Sequence, residues 1–129
     1  MKVLGVDPGT LATGWCIVEA LPGGRLTAHA HGVVRTRPAD PLWDRLAIIH
    51  AQILAVALEH RPAALSIEQC FVSKNVQSAL KLGHTRGAIM IAASAGKLTI
   101  AEYTASQVKA TVGGGGRASK EQMLSLIHI

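Results

Sequence analysis

The sequence predicts an α/β domain with a mixed sheet, and three observations carry that prediction. The chain is 129 residues long with 49% hydrophobic and 16% charged positions. That balance fits one globular domain and excludes disordered and fibrous classes. Aromatics make up only 3% (Trp15, Trp43, Phe71, Tyr103), so Ala, Val, Ile and Leu must build the core, as in parallel strands packed on helices rather than an all-β sandwich. The apolar runs come in the order β-β-β-α-β-α-β-α, three meandering strands and then strands alternating with helices.

Lys2 to Val6 reads as the first strand because an apolar run stops at Asp7-Pro8-Gly9-Thr10, where Pro and Gly signal a turn. Gly14 to Leu21 is the second, closed by Pro22-Gly23-Gly24, and Arg25 to Thr36 completes an antiparallel meander. Leu42, Leu46, Ile49, Ile53 and Ala57 recur at helical spacing until Arg61-Pro62 stops the helix. Ala64 to Ile67 is a short apolar strand ending in Glu68. The next helix is expected over Ser78 to Ala95, with Leu80, Gly83, Gly87 and Ile91 on a face that two glycines allow to approach another element closely. Leu98 to Ala101 is the fifth strand. Thr104 with Gln107, and Ser119 with Gln122, form capping pairs that open two further helices around a Gly113 to Gly116 loop.

The net charge of +5 is unevenly placed. Residues 1–60 balance five basic against five acidic side chains, whereas 61–129 carry eight basic against three acidic. A positive half points to a polyanion such as nucleic acid. Cys16 and Cys70 form no CxxC pair and lie in or beside apolar runs, the usage of a reducing compartment, so a cytoplasmic location is expected. Asp7 interrupts the first apolar run too early for a signal-peptide core, and Ala88 to Ala95 falls short of a bilayer span, so no membrane association is expected.

Asp7 and Glu68 each end an apolar strand that reads as central. Ligands gather at the carboxyl ends of strands in open α/β sheets, and two carboxylates converging there repel until a divalent cation relieves them. Magnesium suits such a site because it takes oxygen ligands and keeps waters. Taken alone, Asp-Pro-Gly is a turn formula and Glu at a strand end is a solvated side chain. Lys74, Lys81, Arg86, Lys109, Arg117 and Lys120 follow in order and are candidates for one electropositive face. Phe71 lies in the polar stretch Gln69 to Asn75, where an aromatic is placed either to stack on a base or to fold back onto the core. The glycine run is neither a P-loop nor a dinucleotide fingerprint. His29 and His31 on one strand face are a weak metal signal.

These residues carry a recognisable pattern. Gly5-Val6-Asp7-Pro8-Gly9-Thr10 with Thr13-Gly14, Ile67-Glu68-Gln69-Cys70-Phe71-Val72 with Lys74-Asn75, and Ser78-Ala79-Leu80-Lys81-Leu82-Gly83 with Arg86-Gly87 resemble the RuvC family of Holliday-junction resolvases. Glu102-Tyr103 with Gln107-Val108-Lys109, and Gly116-Arg117-Ala118 with Lys120-Glu121-Gln122, continue the match to about residue 123. The resemblance implies an RNase H-like fold whose mixed five-stranded sheet joins a three-strand meander to two parallel strands. It also implies a homodimer that resolves four-way DNA junctions in recombination and repair by paired incisions, with a branch-migration helicase complex as partner. Asp7 and Glu68 would be its metal-binding, catalytic carboxylates, with Mg²⁺ the cofactor and Mn²⁺ a substitute. Phe71 would contact the junction, and Lys109 and Lys120 would lie near the scissile phosphates.

The chain departs from the family at its end. The family places two further acids on a helix near the C-terminus, but here no Asp follows Asp44 and no acid follows Glu121. The expectation is a nuclease domain over residues 1–123, cut short within its last catalytic helix and weakly active or inactive. Leu124-Ser125-Leu126-Ile127-His128-Ile129 leaves the pattern and is what the transposon-end adapter CTGTCTCTTATACACATC encodes in one frame, so 124–129 is expected to be a non-native tail, which the encoding codons decide. The competing readings are a non-catalytic junction-binding module, an RNase H-like relative acting on RNA, and half of an actin-like or sugar-kinase ATPase. The last needs a second phosphate loop and a longer chain.

Overall fold

The computed structural model describes residues 1–69 and 75–103. Cys70, Phe71, Lys74, Lys109, Arg117 and Lys120, the two expected C-terminal helices, the Gly113 to Gly116 loop and the 124–129 tail lie outside them. Three strands, β1 (Lys2–Asp7), β2 (Ala12–Ala20) and β3 (Leu26–Arg35), pair antiparallel in sequence order as expected. Gly23 turns the β2–β3 connection at φ 81°, a left-handed conformation that glycine adopts without strain. β4 (Ala64–Glu68) then adds to β1 in parallel, and β5 (Thr99–Tyr103) adds to β4 in parallel. The five-stranded order is β3-β2-β1-β4-β5, a three-strand meander joined to two parallel strands.

Alternation along the strands divides the residues between the two sheet faces. Leu4 and Val6 of β1 and Leu65 and Ile67 of β4 share one core with Ile49, Ile53, Val56 and Ala57 of α1 (Leu42–His60) and Ile89, Ala92 and Ala93 of α2 (Val76–Ala95). Fully burying each Leu or Ile contributes roughly 1.5–3 kcal/mol, which makes this helix-covered face the main source of stability. Helix α1 ends where its spacing predicts: Arg61 turns left-handed (φ 49°), donates its N–H to the Ala57 carbonyl at 2.9 Å, and precedes Pro62, which cannot continue the helix. Trp15 lies flat over Gly32, where a Cβ would fall 2.7 Å from the indole.

Helix α2 differs from its expectation at its start and in its buried face. It opens at Val76 rather than Ser78, because the Asn75 side-chain oxygen accepts the Ser78 N–H at 3.2 Å and caps the helix. The face expected to pack closely is the open one. Leu80 and Ile91 are 59% and 63% exposed, and a Cβ at Gly83 or Gly87 would meet nothing within 4 Å. The opposite face, with Thr85, Arg86, Ile89, Ala92 and Ala93, is buried. Its two polar members tolerate burial because each has partners: the Thr85 hydroxyl donates to the Lys81 carbonyl at 3.0 Å, and Arg86 is bonded to β4 and β5.

The strand directions place β1, β3, β4 and β5 with their carboxyl ends at one edge of the sheet. The β1–β2 turn, the β3–α1 connection and the exit from β4 therefore all meet there. Among the described residues no helix is long and apolar enough to cross a membrane.

A candidate metal centre at the carboxyl end of the sheet

The turn after β1 is held rigidly. Thr13 is fully buried; its hydroxyl donates to the Gly9 carbonyl at 2.7 Å and accepts the Gly9 N–H at 3.2 Å. A side chain at Gly9 would place Cβ 2.2 Å from the Ala12 carbonyl oxygen, so only glycine fits. From the other side, the Thr36 hydroxyl donates to the Thr10 carbonyl and the Thr36 N–H donates to the Leu11 carbonyl at 3.0 Å. The Asp-Pro-Gly-Thr segment is thus a clamped turn, and the clamp fixes the backbone next to Asp7.

Register then brings the two predicted carboxylates together. Val6 pairs with Ile67 in the parallel β1–β4 ladder, so Asp7 and Glu68 are the next residues on adjacent strands. Their Cα atoms are about 5 Å apart on the usual strand spacing. Val6 and Ile67 point into the helix-covered core, so alternation sends Asp7 and Glu68 to the opposite face. Asp7 is exposed and Glu68 half-buried, and among the described residues no cation pairs with either carboxylate. Ionised carboxylates on adjacent strand positions of one face repel, the more so the closer their oxygens approach. An all-oxygen, doubly negative pair of this kind fits a hard divalent cation. Among the described residues no third His, Cys, Asp or Glu joins them in a metal-binding group.

Arg86 is placed differently from the electropositive face expected of it. It is only 9% exposed. Its Nε donates to the Glu68 backbone carbonyl at 2.8 Å, and its terminal nitrogen pairs with the Glu102 carboxylate. The reason is helical spacing: Arg86 precedes Ile89 by three residues and Ala93 by seven, which puts it on the buried stripe. In the sequence it stands as one of a series of cations, and its spacing from Ile89 and Ala93 does not by itself show that this stripe, rather than the one with Leu80 and Ile91, is buried. Glu102 is cross-strand from Ile67, so it faces the helices and serves Arg86 rather than the carboxylate pair. Lys81 is exposed on α2.

Among the described residues His29 and His31 join no group of three or more metal-ligating side chains. A register shift at Ile17/Val18 pairs Ile17 with Ala30 and Val18 with Ala28, leaving His29 as the bulged residue. Its Nε2 donates to Glu19 Oε1 at 2.8 Å, and that hydrogen bond holds the Glu19 carboxyl below its ordinary value.

Comparison with known proteins gives the family. The family model described as crossover junction endodeoxyribonuclease RuvC matches residues 3–129. The chain belongs to the RuvC family. A crossover junction endodeoxyribonuclease RuvC of Magnetococcus marinus is 45% identical over 129 residues, all of this chain and 71% of that protein. The RuvC of Syntrophotalea carbinolica is 43% identical, again over the whole chain and 80% of its own length. The structure of T. thermophilus RuvC in complex with a Holliday junction substrate superposes with a TM-score of 0.84 at 29% identity, covering 98% of this chain and 79% of that one. The RuvC fold thus supplies the mixed sheet on which the carboxylate pair stands.

Proposed function

We propose that this RuvC-family chain is a structure-selective endodeoxyribonuclease that resolves four-way DNA junctions by divalent-metal-dependent phosphodiester hydrolysis. The observation that carries the reading is the Asp7–Glu68 pair, placed by register at the ends of two adjacent parallel strands and on one sheet face. Asp7 and Glu68 would hold the metal, with Mg²⁺ the physiological ion and Mn²⁺ a substitute. Bound there, the ion would supply Lewis-acid activation of a water and charge stabilisation at the leaving 3′ oxygen. The chain's own contribution is positional: the Thr13 and Thr36 bonds fix the turn beside Asp7, and Arg86 ties the end of β4 to α2 and β5. Phe71, Lys74, Lys81, Lys109, Arg117 and Lys120 contact DNA in this reading, which makes affinity salt-dependent.

Paired symmetric incision needs two copies. The open stripe of α2, with Val76, Leu80 and Ile91 at 61%, 59% and 63% exposure around Gly83 and Gly87, is the apolar, small-residue surface that suits a second copy. A cytoplasmic setting and a branch-migration helicase partner complete the proposal.

Incubation with a synthetic four-way junction and Mg²⁺ tests the reading. Preferential binding of the junction over linear duplex is expected, with symmetric incision that Asp7→Asn removes. Equal affinity for linear duplex overturns junction selectivity, and selective binding without divalent-dependent incision overturns the nuclease reading in favour of a non-catalytic junction-binding module.

A further inference from the structure

Counting charges along the chain assigns the whole positive excess to residues 61–129, yet the fold brings two cations of the neutral half to the carboxylate edge. Asp7 pairs with Gly14 across β1 and β2, and Gly14 pairs with Val33 across β2 and β3. Those three residues form one row on the face carrying Asp7. Arg35 lies two residues beyond Val33 on the same strand, so alternation gives it the same face. Two strand spacings across and two residues along put its Cα about 12 Å from that of Asp7.

The backbone around it is fixed. Thr36 is 9% exposed and bonded twice to the turn that follows Asp7. Arg37 comes next, and its carbonyl accepts the Asp40 N–H at 3.0 Å in a turn that Pro38 pre-sets. Arg35 and Arg37 thus flank a buried anchor. Both are exposed, and among the described residues no carboxylate pairs with either, although Asp40 and Asp44 are close in sequence. Unpaired guanidinium groups on a preorganised edge are suited to phosphate oxygens, which they can bind in bidentate fashion.

We propose that Arg35 and Arg37 form a second phosphate-binding shelf, engaging the DNA backbone that extends from the Asp7–Glu68 site toward the β3 edge. The inference rests on the functional reading above. One strand presents a phosphate every ~3.4 Å of axis, so the shelf falls about three to four nucleotides from the bond held at the carboxylates.

The test is junction affinity of the full chain across a salt series. Removing two phosphate contacts in R35Q/R37Q is expected to weaken binding roughly tenfold at low salt and to lower the slope of log affinity against log salt by about 2. Arg35→Lys with Arg37→Lys should retain most of that slope. Lys97, at the opposite end of the sheet and left-handed at φ 62°, serves as the control in Lys97→Asn and should leave it unchanged. An unaltered slope in R35Q/R37Q, or an equal loss in Lys97→Asn, overturns the shelf while leaving junction selectivity standing. Absence of junction selectivity in the unchanged chain overturns the functional reading itself.

Discussion

Replacing Arg86 by Met keeps the length and apolar stem of the side chain and removes its charge and donors. Two bonds are lost. The charge-assisted bond from Nε to the Glu68 carbonyl, 2.8 Å long, is worth roughly 1.5–3 kcal/mol. The Glu102 carboxylate is 39% exposed and rehydrates when its partner goes, so the ion pair adds at most about 1 kcal/mol. The expected destabilisation is therefore about 3 kcal/mol, at the lower edge of what breaking a buried pair costs. For a chain of 129 residues, with an unfolding entropy of about 2.1 cal/mol/K per residue, that lowers Tm by roughly 11 °C.

Thermal melts followed by circular dichroism read the shift directly, and a double-mutant cycle with Glu102→Gln separates the pair from the carbonyl bond. Coupling of about 1 kcal/mol or less between Arg86 and Glu102 is expected, with the larger share of the loss remaining in Arg86→Met alone. Arg86→Lys restores a charge near Glu102 without the fixed guanidinium fork, so it should recover less than half of the stability. The reasoning is refuted by an Arg86→Met variant that melts within about 2 °C of the unchanged chain. Because the carbonyl belongs to Glu68, the same variant should also weaken Mg²⁺ binding measured by calorimetry.

Three other outcomes follow from the geometry. Asp7→Asn removes one member of a repelling pair, so it should abolish divalent-dependent incision while leaving Tm in metal-free buffer unchanged or slightly raised; a lower Tm there contradicts the repulsion argument. Leu80→Glu with Ile91→Glu places charge on the open stripe of α2 and should shift sedimentation from dimer to monomer without lowering Tm, whereas a persistent dimer moves the interface elsewhere. The Glu19 carboxyl is held low by His29, so this pair's contribution is present above the unfolded carboxylate pKa and is lost as pH falls through the lower folded value. The Tm difference between the unchanged chain and Glu19→Gln should therefore shrink on acidification through that range, and a difference that grows there contradicts the assignment.

The strand order was legible because its determinants are local. Pro8-Gly9, Pro22-Gly23-Gly24 and Arg61-Pro62 punctuate the chain where backbone freedom or a missing N–H leaves little choice, and the strands and the first helix begin and end within a few residues of those marks. The face of α2 was not legible in the same way. Leu80, Gly83, Gly87 and Ile91 are a perfectly periodic apolar set, and nothing local says that a stripe containing Arg86 and Thr85 is the one that packs. That choice is made by long-range partners: a carbonyl on β4 and a carboxylate on β5 make burial of the guanidinium tolerable, and the glycine stripe is left outside.

The carboxylate pair shows the same division. Strand ends at Asp7 and Glu68 can be read from sequence, but their adjacency depends on the parallel register that pairs Val6 with Ile67, and no property of either segment alone fixes it. Charge is the quantity that linear reading renders least faithfully. A count by halves makes residues 1–60 neutral, because Asp40 and Asp44 cancel Arg35 and Arg37 on paper. In the fold no ion pair among the described residues effects that cancellation. The field a phosphate meets along the strand leading away from Asp7 is set by which guanidinium groups stand unpaired on its face, and strand register, not sequence position, decides that.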